Sequence, residues 1–162
     1  MPVSSRLPSL GSRGEGWVAA QLVLIAGIVL AGWWHVGWPE SVALPGRILG
    51  ILLAAAGFAG AFIAFRALGR SMTMLPKPRA GGRLVEHGPY RLVRHPLYGA
   101  GLVVFLGYSL GRGSWLALAL TGVLAVLWDL KASREEVWLE ERYPGYAGYR
   151  RRTPRRLLPW LR

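Results

Sequence analysis

The sequence contains no cysteine, which excludes disulfides, thiolate nucleophiles and cysteine-held metal sites outright. Its three histidines, His35, His87 and His95, are scattered and make a poor metal set. There is no Walker loop, no GxGxxG turn, no HExxH pair and no internal repeat, so the usual signatures of nucleotide cradles, dinucleotide sites and zinc peptidases are missing. Charge is also sparse. Charged residues make up 17% of the 162 positions and hydrophobic ones 52%, too apolar for an ordinary soluble domain and in keeping with a membrane protein of one domain. Acid is the rarer sign, with 8 Asp and Glu against 20 Lys and Arg. A net charge of +12 on a soluble domain would suggest nucleic acid, but here the charges avoid the long apolar runs and cluster between them. That pattern points to membrane topology and anionic lipid, with no nucleic-acid partner expected.

Four apolar runs are present, at about 17–36, 47–68, 97–110 and 114–130. A helix crosses a hydrocarbon core of about 30 Å with roughly 20 residues, so the first two runs are long enough and the third is short. Residues 1–16 are rich in Ser, Gly and Arg and read as a flexible cytosolic arm. The first run is too long for a signal peptide and reads as a retained helix; Trp33, Trp34 and Trp38 crowd its far end, and residues 39–45 are expected to form a short outer loop. Small residues at Ala54, Ala55, Ala56, Gly57, Gly60 and Ala61 suit close approach by another helix. Gly111, Arg112 and Gly113 leave room only for a tight turn, so the last two runs are expected to pair as an antiparallel hairpin. Lys and Arg concentrate in the arm, between Arg66 and Arg94, and from Lys131 onward. The expected fold is therefore an all-α polytopic membrane protein: four transmembrane helices, the last two a hairpin, with a cytosolic C-terminal segment at 131–162 that begins as a helix ending near Pro144. Both termini are expected in the cytosol of a bacterial-type inner membrane.

Polar chemistry is densest at residues 83–101, which hold three Arg, two His, two Pro and two Tyr at the mouth of the third apolar run. The preceding loop, at 71–96, is long for a structureless connection, and loops of that kind are usually functional. Half of the acidic residues fall at Glu135, Glu136, Glu140 and Glu141. The second pair suits ordinary helical ion pairing. Glu135 and Glu136 sit a turn or two past the membrane exit, where a hairpin would turn them toward Arg94 and His95. Paired charges are expected at such a boundary because an unpaired one is costly.

Three stretches in this order resemble a known family: Gly-Pro-Tyr-Arg-Leu-Val-Arg-His-Pro-Leu-Tyr-Gly at 88–99, Arg-Glu-Glu-x-x-Leu at 134–139, and Tyr-Pro-x-Tyr-x-x-Tyr at 143–149 followed by a Pro-Arg-Arg-x-x-Pro ending. Together they are similar to the isoprenylcysteine carboxyl methyltransferases and their phospholipid methyltransferase relatives, over about residues 68–159. The resemblance implies a polytopic membrane enzyme that uses S-adenosylmethionine without a Rossmann domain and takes a lipophilic acceptor from the bilayer. Carried over by motif position, His95, Pro96, Leu97 and Tyr98 would line the cofactor pocket within loop 71–96 and the helix that follows it. Tyr149 and Arg155 would close it, with Arg94 and Glu135 nearest the transferred methyl and Glu136 available to the cofactor's ammonium or sulfonium.

Methyl transfer needs alignment and exclusion of water and no covalent intermediate, which suits a chain without cysteine or a triad. A carboxylate acceptor, as in isoprenylcysteine methylation, arrives ionised and needs only a cation such as Arg94. An amine acceptor must lose a proton, for which Glu135 is the better base. The carboxylate is the first expectation and the phospholipid amine the second. An NADPH-dependent membrane reductase and a non-enzymatic lipid-binding protein are the rivals from other classes.

Overall fold

The computed structural model describes residues 7–34, 37–78 and 81–159. Among the described residues the chain forms five α-helices and two short 3₁₀ turns and no strand: α1 (Glu15–Trp33), α2 (Glu40–Leu68), α3 (Pro96–Arg112), α4 (Trp115–Arg142) and α5 (Tyr146–Arg152), with the turns at Gly69–Ser71 and Gly88–Arg91. The first apolar run is α1, but His35 and Val36, at its expected end, lie outside the described residues, as do residues 1–6 and 160–162. Three helices are long and apolar enough to cross a membrane: α1, α2 with the turn that follows it, and α4.

Their surfaces are inverted relative to those of soluble helices. On α1 only Trp17, Gln21, Ile28, Ala31 and Gly32 are buried, while Leu22, Val23 and Leu30 are exposed. Outward apolar side chains of this sort suit lipid as solvent. On α2 the buried positions are Gly46, Gly50, Gly57 and Ala64, a seam of small residues. Gly50 admits the Gly107 carbonyl and Gly111 where a Cβ would stand, and Gly57 likewise admits Val104. The small-residue stretch read from the sequence is thus the surface on which α3 packs, with Gly50 added to it. The core is filled by Ile28 and Ala31 of α1, Leu102 of α3, and Ala117, Leu124 and Trp128 of α4.

One expectation is overturned. Residues 39–45 were to be an outer loop, but α2 begins at Glu40 and carries Pro45 inside it. Proline lacks an N–H, yet so near a helix start its loss removes one intrahelical bond only, and the helix continues. At its other end α2 stops at Leu68, as read from sequence.

Pro96 opens α3 at its first position, where the missing N–H would have had no partner. Gly113 ends it in the left-handed region, φ 64°, and Ser114 caps α4 by accepting from the Ala117 amide. Contacts then run antiparallel along the two helices: Ser109 meets Thr121 at 3.1 Å, Gly101 faces the Trp128 ring, and Arg94 reaches Glu136. The helix α4 passes without a break from the fourth apolar run into the expected C-terminal helix and ends at Arg142, before Pro144.

The tail then folds back. The Arg94 amide donates to the Arg155 carbonyl at 3.0 Å and the His95 amide to the Arg156 carbonyl at 2.9 Å. Gly99 makes room for this return, since a side chain there would collide with the Leu157 carbonyl. The described part of the arm also has partners: the Trp17 indole donates to the Pro8 carbonyl, and the Lys77 amide to that of Arg13.

Candidate functional site

The start of α3, the middle of α4's polar half and the returning tail meet around one buried ion cluster. Glu136 is 1% exposed, and its Oε1 accepts from Arg94 Nε at 2.8 Å. His95 Nε2 lies 3.3 Å and Arg156 Nε 3.4 Å from the same oxygen. Arg94 Nη1 donates to the Thr153 carbonyl at 2.8 Å, which joins the tail to the cluster. The Arg94 hydrogen bond, with His95 and the Arg156 guanidinium close by, makes this carboxylate a fixed anion. Arg156 also reaches Asp129 at 2.8 Å; burial works against its charge, but Glu136 and Asp129 more than offset this and hold its guanidinium above the usual arginine range.

Glu135, the neighbour, points to a different environment. Its Oε2 accepts from the Tyr98 hydroxyl at 2.9 Å and lies 3.8 Å from His95 Nδ1. The Tyr98 bond is the one hydrogen bond drawn to its carboxylate among the described residues, and a fifth of the side chain stays open, 20% against 1% for Glu136. It opens onto a cavity of about 110 Å³, which Arg94, His95, Leu97, Tyr98 and Tyr149 also line. The roof comes from the loop before α3, with Thr73, Pro78 and Leu84 on the wall, and the floor from α4 through Leu139.

The expected residues therefore divide. Arg94, His95, Leu97, Tyr98, Glu135 and Tyr149 share the cavity. Pro96 is buried as the first residue of α3 and shapes the wall from behind. Glu136 stands behind Arg94 as its anchor. Arg155 is exposed and contributes its main-chain carbonyl. Tyr149 spends its hydroxyl on the Tyr90 carbonyl, 2.7 Å away, and so braces the wall.

Sequence reasoning passed over Arg156 of the ion cluster and four other aromatic or cationic residues. Tyr90, Tyr143 and Tyr146 line the cavity with Tyr149 and Tyr98. Burial pushes the phenols of Tyr90, Tyr146 and Tyr149 up, so each stays a neutral donor across physiological pH. The Tyr146 hydroxyl is buried without a hydrogen-bond partner. Lys131, 1% exposed, donates to Gln21 Oε1 at 2.6 Å. The tyrosine spacing at 143–149 was the available signal for Tyr146; for Lys131 there was none beyond its charge at a membrane exit. Among the described residues no three His, Asp or Glu come together as a metal site.

The chain is 30% identical over 138 residues to the nickel-cobalt-cadmium resistance protein NccN of Alcaligenes xylosoxydans xylosoxydans, covering 85% of this chain and 60% of that protein. It is 40% identical over 80 residues to the cobalt-zinc-cadmium resistance protein CzcN of Cupriavidus metallidurans, covering 47% of this chain and 36% of that protein. The chain thus spans less than two thirds of the length of these curated relatives. A family model described as phospholipid methyltransferase matches residues 45–145, from the second turn of α2 through the ion cluster to the end of α4. With more than half of the sequence so matched, the chain belongs to the phospholipid methyltransferase family.

Proposed function

We propose that the protein is an integral membrane enzyme that transfers a methyl group from S-adenosylmethionine to a lipophilic acceptor. The observation that carries this is the asymmetric pair on α4: Glu136 locked by Arg94, His95 and Arg156, and Glu135 open to a cavity walled by tyrosines. The lining fits the cofactor. Aromatic faces at Tyr90, Tyr98 and Tyr146 suit a sulfonium and a flat base, and Glu135 suits a cationic group. When bound, S-adenosylmethionine supplies an electrophilic methyl carbon on sulfur. The residues of the chain hold, orient and keep water from that centre.

For the acceptor, the open carboxylate favours an amine of a lipid headgroup. Arg94 is largely committed to Glu136 and Thr153, whereas a Glu135 oxygen is free to take the proton an amine must lose. A carboxylate acceptor such as an isoprenylcysteine is the second reading, supported by Arg94 Nη2, for which neither bond accounts. In this reading α3 is a fourth span paired with α4 as a hairpin. Both termini lie on the cytosolic side of an inner membrane, following the positive charge at residues 66–94 and beyond 131.

The test is calorimetry of the purified protein in nanodiscs with S-adenosylmethionine, followed by competition between phosphatidylethanolamine and a prenylcysteine analogue for the labelled methyl group. Saturable binding and label in the phospholipid are expected. Label only in the analogue would select the carboxylate reading, and binding of NADPH in place of S-adenosylmethionine would overturn both.

A further inference from the structure

Among the described residues Lys131 is the most deeply buried cation, and unlike Arg94 it makes no ion pair. Its ammonium donates to Gln21 Oε1 at 2.6 Å and, at 3.5 Å, to the Met74 carbonyl, and it rests 5.2 Å from the centroid of the Tyr98 ring. Its direct contacts are neutral, and the Glu135 carboxylate acts on it only from beyond ion-pair distance, so holding this charge from water is costly. Packing does not account for it, because a methionine would fill the same space without a charge. Nor does Gln21 need it, since the Trp128 indole donates to the same oxygen at 3.1 Å.

What the ammonium does reach is the working wall of the cavity. Tyr98 carries the cation on its face and donates its hydroxyl to Glu135 Oε2 at 2.9 Å. The same ring stacks on His95, with centroids 5.6 Å apart, and on Trp128 at 5.5 Å. Lys131 and Glu135 are four residues apart on α4, one above the other on the same face. A cation over a phenol ring is attracted to its electron-rich face and makes the hydroxyl a stronger donor.

We infer that Lys131 is a positioning residue for methyl transfer: it clamps the Tyr98 ring and, through the Tyr98 hydroxyl, holds Glu135 in the orientation that faces the cavity. It also ties α1 and the roof to that wall, through Gln21 and Met74. The kinetic part of this inference rests on the methyl-transfer reading; the geometric part does not.

The experiment compares wild type with Lys131→Met, Tyr98→Phe and the double variant, with exposed Lys77→Met as control. Kinetic constants and Tm are measured on each in nanodiscs. Lys131→Met is expected to lower kcat roughly 10- to 100-fold, the scale of a small misplacement of a reacting group, with KM for the methyl donor within about twofold. Its Tm is expected at or above that of wild type, because a buried charge is exchanged for an apolar chain of similar length. In the Tyr98→Phe background the same change should have little further effect on kcat, since the two act through one hydroxyl. A kcat within about twofold of wild type, or losses that multiply in the double variant, would overturn the inference. If wild type itself transfers no methyl group, the methyl-transfer reading fails instead. The Tm comparison then still decides the geometric part, because a lysine kept for stability would lower Tm when replaced.

Discussion

The two ends of the helix bundle use similar residues to opposite effect. At the end where α1 stops and α3 turns into α4, Arg112 Nε donates to the Gly32 carbonyl at 2.7 Å and Ser114 Oγ to the Ala31 carbonyl at 2.8 Å. The last carbonyls of a helix have no partners within it, so these side chains act as its cap. Trp33 lies under the Arg112 guanidinium, 5.9 Å from ring centroid to Cζ, and Trp38 packs on Trp115. Among the described residues no acidic side chain is bonded to Arg112 or Ser114. At the opposite end an arginine again stands beside a helix end, but its acceptor is a buried carboxylate, and the neighbouring carboxylate on α4 is left partly open over a cavity. An arginine at a helix end is therefore uninformative by itself; the acceptor decides whether it makes a cap or a site.

The sharpest way to break that comparison is to remove each arginine. Arg94→Ala leaves Glu136 buried with weaker partners, and the loss of one side of a buried pair costs on the order of 3–5 kcal/mol. Both stability in denaturant titration and methyl transfer should fall. Arg94→Met with Glu136→Leu should recover much of the stability and none of the transfer, because an apolar pair fills the space without an uncompensated charge. At the other end Arg112→Ala removes a charge-assisted bond to a carbonyl, worth roughly 1.5–3 kcal/mol. Stability should drop by that amount while kcat, measured at a temperature where both variants are folded, stays at the wild-type value. A matching loss of kcat in Arg112→Ala would show that the ends are not functionally distinct.

How much of this was legible beforehand depends on the type of contact. Apolar runs and Gly-Pro punctuation marked α1, the end of α2, the start of α3 and the turn at Gly113, because hydrophobic length and backbone freedom are properties of local sequence. The meeting of Arg94 with the Glu135–Glu136 pair followed from register, since two antiparallel helices joined by a tight turn place equal distances from the turn side by side. The tail clasp did not follow. Arg94 and His95 use main-chain amides to hold Arg155 and Arg156, and every residue but proline carries the same amide. The resemblance implied that Arg155 would close the cofactor pocket; in the structure its main-chain carbonyl accepts from the Arg94 amide. Lys131 was illegible for a related reason: its partners, Gln21 and Met74, are neutral groups 110 and 57 residues away in sequence. The start of α2 was misread because proline is a strong breaker on average and a weak one near a helix start.

Two smaller changes sharpen the contrast inside the site end itself. Tyr149→Phe removes one neutral hydrogen bond and leaves the Tyr90 carbonyl without that donor, so a loss of about 1 kcal/mol is expected by thermal unfolding, with a modest rise in KM as the wall loosens. The exposed pair between Arg152 and Glu86, 2.6 Å apart, is the least consequential. It has the same chemistry as Arg94 with Glu136, but its side chains are 65% and 37% exposed against 6% and 1%. Water and salt screen such a pair, and measured values for exposed pairs lie at about 0–1 kcal/mol. Arg152→Gln should therefore shift stability by less than that and leave transfer unchanged, at low and high salt alike. If it instead matched Arg94→Ala, burial would not be what separates a structural charge from a decorative one, and the weight placed on the locked Glu136 and the open Glu135 would have to move to the tail that Arg152 belongs to.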